Sequence, residues 1–180
     1  VMPLYHTMGV RSLLSMTLLN GNFITQPKFN PEEAIEFIDK NKISSLYLVP
    51  TLYHELIDSP HFKIEKVSSC HKLGFAGAPM TDGLLKKIKK NFSASQLINH
   101  YGSSEIYTFT IEPNALEKPG CAGKAGINQN IRVMKINSNN INNKTKENEE
   151  GEIIAYIKND EAFKGYLNRP DADQTSIIND

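Results

Sequence analysis

The sequence KLGFAGAPMTDGLLKKIKKNFSASQLINHYGSSE, residues 72–105, contains a helix-like segment between two strand-like ones. Lys72–Ala76 and Gln96–Asn99 are short runs with apolar centres, as is typical of buried strands. Between them, apolar residues recur at helical spacing over 84–88, and lysines fill the last turns, where positive charge favours the helix dipole. A strand, a helix and a strand joined by short connections predict a parallel sheet that is covered by helices.

The alternation of helices and strands extends toward the N-terminus. Asn30 can cap a helix that begins at Pro31, and Glu33 stands where a capping-box carboxylate belongs. The other predicted elements are a mostly buried helix over Gly9–Leu19 closed by Gly21, a short strand over Asn22–Thr25, a buried strand over Ile43–Val49 and a helix over Thr51–Ile57. The pattern is that of an α/β fold.

The composition changes in the second part of the chain. Prolines and glycines interrupt regular structure there, and Asn137–Glu150 is nearly devoid of apolar residues, which predicts a solvated loop. Strands are predicted on either side of that loop, over Ile131–Ile136 and Glu152–Ile157. We therefore predict an α/β subdomain over residues 1–112 and a smaller β-rich subdomain over residues 113–180.

The overall composition disfavours several classes of function. The chain has 180 residues with 20 basic and 20 acidic side chains, and its formal net charge of zero makes nucleic acid a poor partner. The two cysteines, Cys70 and Cys121, lie far apart, which favours a cytoplasmic protein over a disulfide framework or a zinc site. No apolar run reaches the length of a membrane span. The segment Val1–His6 lacks the charged region of a secretion signal and reads like part of a longer chain.

Three segments are candidates for a functional site, because ligands of parallel sheets bind outside the carboxyl ends of the strands. They are Pro3–Gly9, Gly77–Met80 and His100–Glu105. The small residues of the second segment leave room for a flat ring or an acyl group, although tight packing of a strand on a helix also explains them. In the first segment, His6 borders an apolar run, where a core histidine with satisfied hydrogen bonds is the simpler interpretation.

The third segment combines four useful properties. Tyr101 offers an aromatic face to a purine, and Gly102 allows the backbone to approach a ligand closely. The hydroxyls of Ser103 and Ser104 can donate to phosphate oxygens, and the Glu105 carboxylate can hold a hard cation such as Mg²⁺. A plain turn accounts for the same residues equally well, since glycine and serine are frequent in turns.

In their order and spacing, these segments resemble the superfamily of acyl-CoA synthetases, peptide-synthetase adenylation domains and beetle luciferases. The motifs that carry the resemblance are PLYHTMG (residues 3–9), FAGAPM (75–80), YGSSE (101–105), PGCAGKAG (119–126) and GEIIAYIKNDEAFKGYLNRPDA (151–172). Within the superfamily, SLYLVPT (45–51), FAGAPM and AFKGYLNRP (162–170) look most similar to aryl-CoA ligases of the 4-chlorobenzoate:CoA ligase type. The resemblance covers essentially the whole chain but only the middle of a full-length member.

The resemblance implies an ATP-dependent carboxylate ligase that forms an acyl-adenylate from a small carboxylic acid and transfers the acyl group to CoA, with Mg²⁺ as the metal. The implied nucleotide-binding residues are Gly77, Ala78, Pro79, Tyr101, Gly102, Ser103 and Ser104. The implied acyl pocket consists of His6, Thr7, Met8, Tyr47, Ala76, His100, Gly102, Tyr107 and Thr108. The implied catalytic residues are His6, Ser104 and Glu105, and Glu105 is also the implied metal ligand. Ser104 stands where the family usually has threonine, so the hydroxyl is kept.

Parts that this superfamily needs are not found in the sequence. A phosphate loop is expected before Val1, and a ribose-binding aspartate is expected after Asp180, followed by a C-terminal domain with a catalytic lysine. We therefore expect an internal fragment of the ligase that is inactive in isolation.

Other functions stay open at this point. A stand-alone adenylation domain would deliver the acyl group to a carrier protein, and a non-catalytic α/β module would bind ligands without reaction. A serine hydrolase is disfavoured because Gly102–Glu105 lacks the closing glycine of a nucleophile elbow. The lysines within residues 86–90 could bind a CoA phosphate, but a solvated helix face is the favoured interpretation. The sequence leaves the oligomeric state open.

Overall fold

The computed structural model of the protein describes residues 3–138 and 140–178. The helices are α1 (Thr7–Leu18), α2 (Pro31–Asn41), α3 (Pro50–Ile57), α4 (Asp82–Asn91) and α5 (Pro170–Ser176). The strands are β1 (Ser45–Leu48), β2 (Lys72–Ala76), β3 (Gln96–Tyr101), β4 (Thr110–Glu112), β5 (Lys124–Ala125), β6 (Ile131–Met134) and β7 (Glu152–Ala155). A 3₁₀ turn, Ile64–Val67, precedes β2.

Five strands form one sheet in the order β1-β2-β3-β4-β5. The first three strands run parallel, and their register pairs Leu48 with Phe75 and Ala76 with His100. Strands β6 and β7 form a separate antiparallel sheet. The predicted fold class, a parallel sheet flanked by helices and followed by a smaller β-rich part, is therefore confirmed.

The hydrophobic core is built from helices α2, α3 and α4 and the parallel strands β1, β2 and β3. Its fully buried side chains include Ile35, Ile38, Leu56, Leu73, Ile88 and Leu97. Tyr53 of α3 is also fully buried, and its hydroxyl oxygen lies 2.9 Å from the Leu46 carbonyl oxygen and 3.0 Å from that of Gly74. Because a buried hydroxyl needs a hydrogen-bond partner, Tyr53 ties α3 to both β1 and β2.

Helices α2 and α4 each begin with a side-chain cap. The Asn30 side chain accepts the N–H of Glu33 at 3.0 Å, and Pro31 occupies the first helical position, as predicted for α2. The Thr81 hydroxyl accepts the N–H of Leu84 at 3.3 Å at the start of α4. These bonds satisfy backbone donors that have no partner within the helix, so the local sequence sets where both helices begin.

One predicted strand was wrong, and one helix was not predicted. Asn22–Thr25 was predicted as a strand, but the structure assigns no strand there. A strand requires a second strand at hydrogen-bonding distance, and a short apolar run cannot specify that partner. Helix α5 was not predicted, although Pro170 at its first position and Asp171 in its first turn are both typical helix-start signals. With seven residues and none of them buried, α5 has no apolar face to reveal it.

By their contacts, the residues form two compact units. The first contains Val1–Tyr101 and Ile111–Lys124, and the second contains Gly102–Thr110 and Ala125–Asp180. Compact units need not coincide with independently folding domains, so the predicted boundary between residues 112 and 113 stays a prediction. Within residues 3–138 and 140–178, every helix is too short or too polar to cross a membrane. The predicted cytoplasmic location likewise stays a prediction.

Candidate functional site

The carboxyl ends of β2 and β3 lie side by side in the first compact unit. Since Ala76 pairs with His100, Gly77 directly after β2 and Tyr101 at the end of β3 lie at the same edge of the sheet. Gly77 has φ of +85°, a conformation that glycine adopts without the cost that a Cβ atom brings. A Cβ atom there would meet only Val49 Cγ1 at 3.6 Å, so the backbone conformation and not the available space favours glycine.

Helix α1 contacts this end of the sheet through one side chain. His6 is its N-cap, and the exposed imidazole accepts the N–H of Met8 at Nδ1, at 3.2 Å. One turn further along, the Arg11 guanidinium lies with Nη1 3.0 Å from His100 Nδ1. The structure therefore brings Arg11 of α1 into contact with His100 near the end of β3. That the three candidate segments form a common site stays a prediction.

A second contact joins β1 to β3 across the intervening strand. The Tyr47 hydroxyl is hydrogen-bonded to His100 Nε2, and the two rings meet edge to face with centroids 5.3 Å apart. Gly74 of β2 stands directly opposite Tyr47, and a Cβ atom on it would lie 2.0 Å from Tyr47 Cζ. The tyrosine ring thus crosses the glycine backbone to reach His100. Sequence reasoning did not identify Gly74, although a glycine inside a strand does signal a close approach.

His100 is neutral in this environment. Only 6% of its surface is exposed, and burial, followed by the charge of Arg11, lowers the pKa of the imidazole to about 4. A guanidinium only donates hydrogen bonds, so Nδ1 accepts from Arg11 and the proton resides on Nε2, which donates to Tyr47. Sequence reasoning also did not identify Arg11, because it lies outside every quoted motif.

Asn99 is a further residue that the motif analysis left without a role. Its side-chain amide donates to the Cys121 carbonyl oxygen at 3.0 Å. This bond ties the end of β3 to the glycine-rich segment 119–126. In that segment Gly123 has φ of +88°, and a Cβ atom on it would lie 2.0 Å from the Ile111 carbonyl oxygen. The Asn99 hydrogen bond therefore holds segment 119–126 at the end of β3, and the close approach of Gly123 to Ile111 holds the same segment against β4.

In the second compact unit, the loop that follows Tyr101 is a tight turn. The Ser103 N–H donates to the Ile106 carbonyl oxygen at 3.2 Å, and the Ser103 hydroxyl accepts the Ile106 N–H at 3.4 Å. A Cβ atom on Gly102 would lie 2.3 Å from the Tyr107 carbonyl oxygen and 3.0 Å from Thr108 Cα. Glycine is required here by close packing, and the loop keeps Ser104 exposed.

The Glu105 carboxylate is held in its ionised form. Two hydrogen bonds keep the pKa of Glu105 below its ordinary value. The larger effect comes from the Ser103 hydroxyl and the smaller from the Tyr166 hydroxyl. The Tyr166 bond is 2.8 Å long, and the carboxylate in turn raises the pKa of Tyr166, so this hydroxyl keeps its proton. A half-buried, ionised carboxylate fits a hard divalent cation, because its two oxygens can accept more bonds than these two.

The predicted site residues are divided between the two compact units. The first unit contains His6, Thr7, Met8, Tyr47, Ala76, Gly77, Ala78, Pro79, His100 and Tyr101. The second contains Gly102, Ser103, Ser104, Glu105, Tyr107 and Thr108, of which Thr108 is buried and Tyr107 half-buried. The roles predicted for these residues stay predictions.

Known proteins resemble this chain along nearly all of it. The model of a family described as AMP-binding enzyme matches residues 1–167. A 4-chlorobenzoate–CoA ligase of Arthrobacter sp. is 25% identical over 179 residues, which are 99% of this chain and 34% of the relative. A long-chain-fatty-acid–CoA ligase of Bacillus subtilis is 27% identical over 178 residues, 95% of this chain and 30% of the relative. The chain thus spans about a third of the length of these relatives.

Solved structures confirm the fold. MatB from Rhodopseudomonas palustris, solved with ATP bound, aligns with a TM-score of 0.81 and 24% identity over 97% of this chain and 34% of its own. O-succinylbenzoate coenzyme A synthetase from Bacillus subtilis, in complex with ATP and magnesium ion, aligns with a TM-score of 0.79 and 21% identity. The alignment covers 99% of this chain and 36% of the synthetase chain.

Proposed function

This chain belongs to the family of AMP-binding enzymes, and from that membership we propose that it forms part of an ATP-dependent carboxylate ligase. The reaction joins a carboxylic acid to the AMP moiety of ATP and then transfers the acyl group to CoA. Relatives that are CoA ligases support CoA as the acceptor. Because the chain spans about a third of their length, the proposal concerns the protein at its natural length.

The observation that carries this proposal is the register of β2 and β3. It pairs Ala76 with His100, and so a left-handed glycine turn at Gly77 and the aromatic ring of Tyr101 follow at one edge of a parallel sheet. Tyr101 keeps 42% of its surface exposed, in contrast to the fully buried core tyrosine Tyr53. An exposed ring beside a compact turn suits the stacking of a purine, with the turn running along the edge of the base.

We assign the acid side of the proposed site to Tyr47, with Met8 and Ala76 as apolar neighbours. Both ring nitrogens of the neutral His100 are already hydrogen-bonded, so His100 positions the Tyr47 hydroxyl, and the Tyr47 O–H can donate to the acid. His6 is the residue we assign to the reacting carboxylate. Its Nδ1 accepts the Met8 N–H, so in the neutral ring Nε2 carries the proton and can donate to a carboxylate oxygen.

In the first step, an oxygen of the acid bonds to the α-phosphorus of ATP as the bond to the β-phosphate breaks and pyrophosphate leaves. Negative charge gathers on the phosphate oxygens as this bond forms, and the exposed Ser104 hydroxyl would donate to one of them. Glu105 would hold Mg²⁺, whose positive charge stabilises the triphosphate when bound. In the second step, the CoA sulfur bonds to the acyl carbon, the thiol proton is released, and AMP leaves.

The test is ATP–pyrophosphate exchange by the protein at its natural length, with aromatic and aliphatic carboxylic acids supplied one at a time. ATP–pyrophosphate exchange is expected only when an acid is present. When CoA is added as well, continuous release of AMP is expected. A carrier protein that supports AMP release where CoA does not would favour the adenylation-domain alternative. Binding of ATP without exchange for any acid would contradict the proposal and favour a binding module.

A matched pair of variants tests the site itself. Glu105→Gln removes the charge of the proposed metal ligand and is expected to lower the exchange rate by about two orders of magnitude. Glu152→Gln makes the same chemical change at an exposed position of β7 and is expected to leave the rate unchanged. Equal rates for the two variants would remove Glu105 from the proposed machinery.

A further inference from the structure

We propose that Tyr166 is a positioning residue that holds the Glu105 carboxylate in the orientation in which it binds the metal. The inference rests on the proposed function, since it assigns the metal to Glu105. It adds a residue from a distant part of the chain, for which the motif analysis gave no role. All of the residues concerned belong to the second compact unit.

The contact between Tyr166 and Glu105 is direct, and the backbone beside it reinforces it. The Tyr166 hydroxyl donates to Glu105 Oε1 at 2.8 Å. The N–H of Phe163 donates to the Glu105 carbonyl oxygen at 2.8 Å, and Ile106 forms an antiparallel bridge with Ala162. The segment 162–166 therefore forms hydrogen bonds with both the backbone and the side chain of Glu105.

Tyr166 is itself fixed by its surroundings. Its N–H donates to Asp173 Oδ1 at 2.8 Å, and its ring packs edge to face on Phe163 with centroids 4.9 Å apart. Gly165 has φ of +138°, and a Cβ atom on it would come within 3.0 Å of Asp173 Oδ2. Asp173 belongs to helix α5, so that helix holds the tyrosine through its backbone N–H.

This support matters because a glutamate has three rotatable side-chain bonds, whereas a tyrosine has two. A carboxylate that is free to rotate loses conformational entropy when it binds a cation, and a carboxylate already held by a hydrogen bond loses less. The tyrosine occupies one acceptor site on Oε1, and the remaining acceptor sites of the carboxylate are enough for a cation. Residues that orient metal ligands in this way commonly change metal affinity by about 10- to 100-fold when they are replaced.

The test measures metal binding directly, so that it does not depend on turnover. Mn²⁺ is titrated into the protein at its natural length, with ATP present and no carboxylic acid, and is followed by electron paramagnetic resonance. Tyr166→Phe removes only the hydroxyl and is expected to weaken Mn²⁺ binding by about 10- to 100-fold. The Mg²⁺ concentration for half-maximal exchange should rise in parallel, while kcat at saturating Mg²⁺ changes much less.

Tyr156→Phe is the matched control, because Tyr156 lies in the same unit, is 48% exposed and belongs to no proposed site. Its Mn²⁺ affinity is expected to stay within about twofold of wild type. Asp173→Ala is a second variant, which loosens Tyr166 without changing it, and is expected to weaken Mn²⁺ binding by about threefold or more. If circular dichroism shows that Tyr166→Phe does not fold, the Mn²⁺ affinity of Asp173→Ala is measured in its place.

The possible failures can be told apart with Glu105→Gln. Wild-type Mn²⁺ affinity in Tyr166→Phe and Asp173→Ala, together with loss of Mn²⁺ binding in Glu105→Gln, would overturn the role of Tyr166 and leave the proposed function standing. Unchanged Mn²⁺ binding in Glu105→Gln would overturn the assignment of the metal and, with it, this inference.

Discussion

Gly74→Ala tests the arrangement in which the Tyr47 ring crosses β2 to reach His100. The added methyl group would lie 2.0, 2.3 and 2.5 Å from three carbon atoms of the Tyr47 ring, distances at which atoms cannot coexist. The ring must therefore move away, and its hydrogen bond and edge-to-face contact with His100 are lost. The effect is specific because all three of these nearest atoms belong to one side chain.

The magnitude follows from three contributions. Overpacking of a well-packed site costs about 1–3 kcal/mol. Loss of the hydrogen bond adds about 1 kcal/mol, and the lower entropy of the unfolded alanine variant offsets about 0.4–1 kcal/mol. We expect Gly74→Ala to lower the free energy of unfolding by about 2 kcal/mol.

Urea denaturation followed by far-UV circular dichroism measures this change, since the protein contains no tryptophan. Gly83→Ala is the matched control: Gly83 lies in α4 with nothing within 4 Å of an added Cβ atom, and this variant should gain about 0.5–1 kcal/mol. In a Tyr47→Ala background, Gly74→Ala should cost almost nothing. A cost that persists without the Tyr47 ring, or that is absent in the single variant, would refute the reasoning.

Two further predictions concern a histidine and a pair of glycines. The free energy of unfolding should fall by on the order of 3 kcal/mol as the pH drops from 6.5 to about 4, because the unfolded chain takes up the His100 proton first, and His100→Asn should remove most of this pH dependence in urea titrations. Gly123→Ala should destabilise the protein by about 2 kcal/mol or more, since its Cβ atom would strike the Ile111 carbonyl oxygen. Gly120→Ala, which has a similar φ of +73° but nothing within 4 Å, should cost only about 1 kcal/mol, and equal losses of unfolding free energy would contradict the steric argument.

Much of the fold was predictable from local sequence. The start of α2 was predicted correctly because Asn30, Pro31 and Glu33 act on backbone groups within one turn of themselves. The bounds of β2 were predicted correctly because its apolar residues are contiguous and glycine and proline follow them. Helix α5 escaped prediction because it is held by polar contacts such as that of Asp173 with the Tyr166 N–H, which leave no periodic apolar pattern.

The sequence could name candidate site residues, but not the contacts between them. The family resemblance implied roles for Tyr47, His100 and Glu105, and the parallel order of β2 and β3 suggested a common edge. Nothing in the sequence linked Arg11 to His100, which are 89 residues apart, or Glu105 to Tyr166, which are 61 residues apart. A hydrogen bond depends on the distance between two groups in space, and spacing along the chain does not encode that distance.

The alternation of helices and strands from α2 to β3, the membership of the AMP-binding family and the chemical types available at the site follow from the linear order of residues, because they depend on short-range patterns. The neutral form of His100 and the ionised form of Glu105 do not follow from it. Protonation is set by burial and by charges and donors that folding brings within a few ångströms. The same residue types in another fold would have different pKa values and different chemistry.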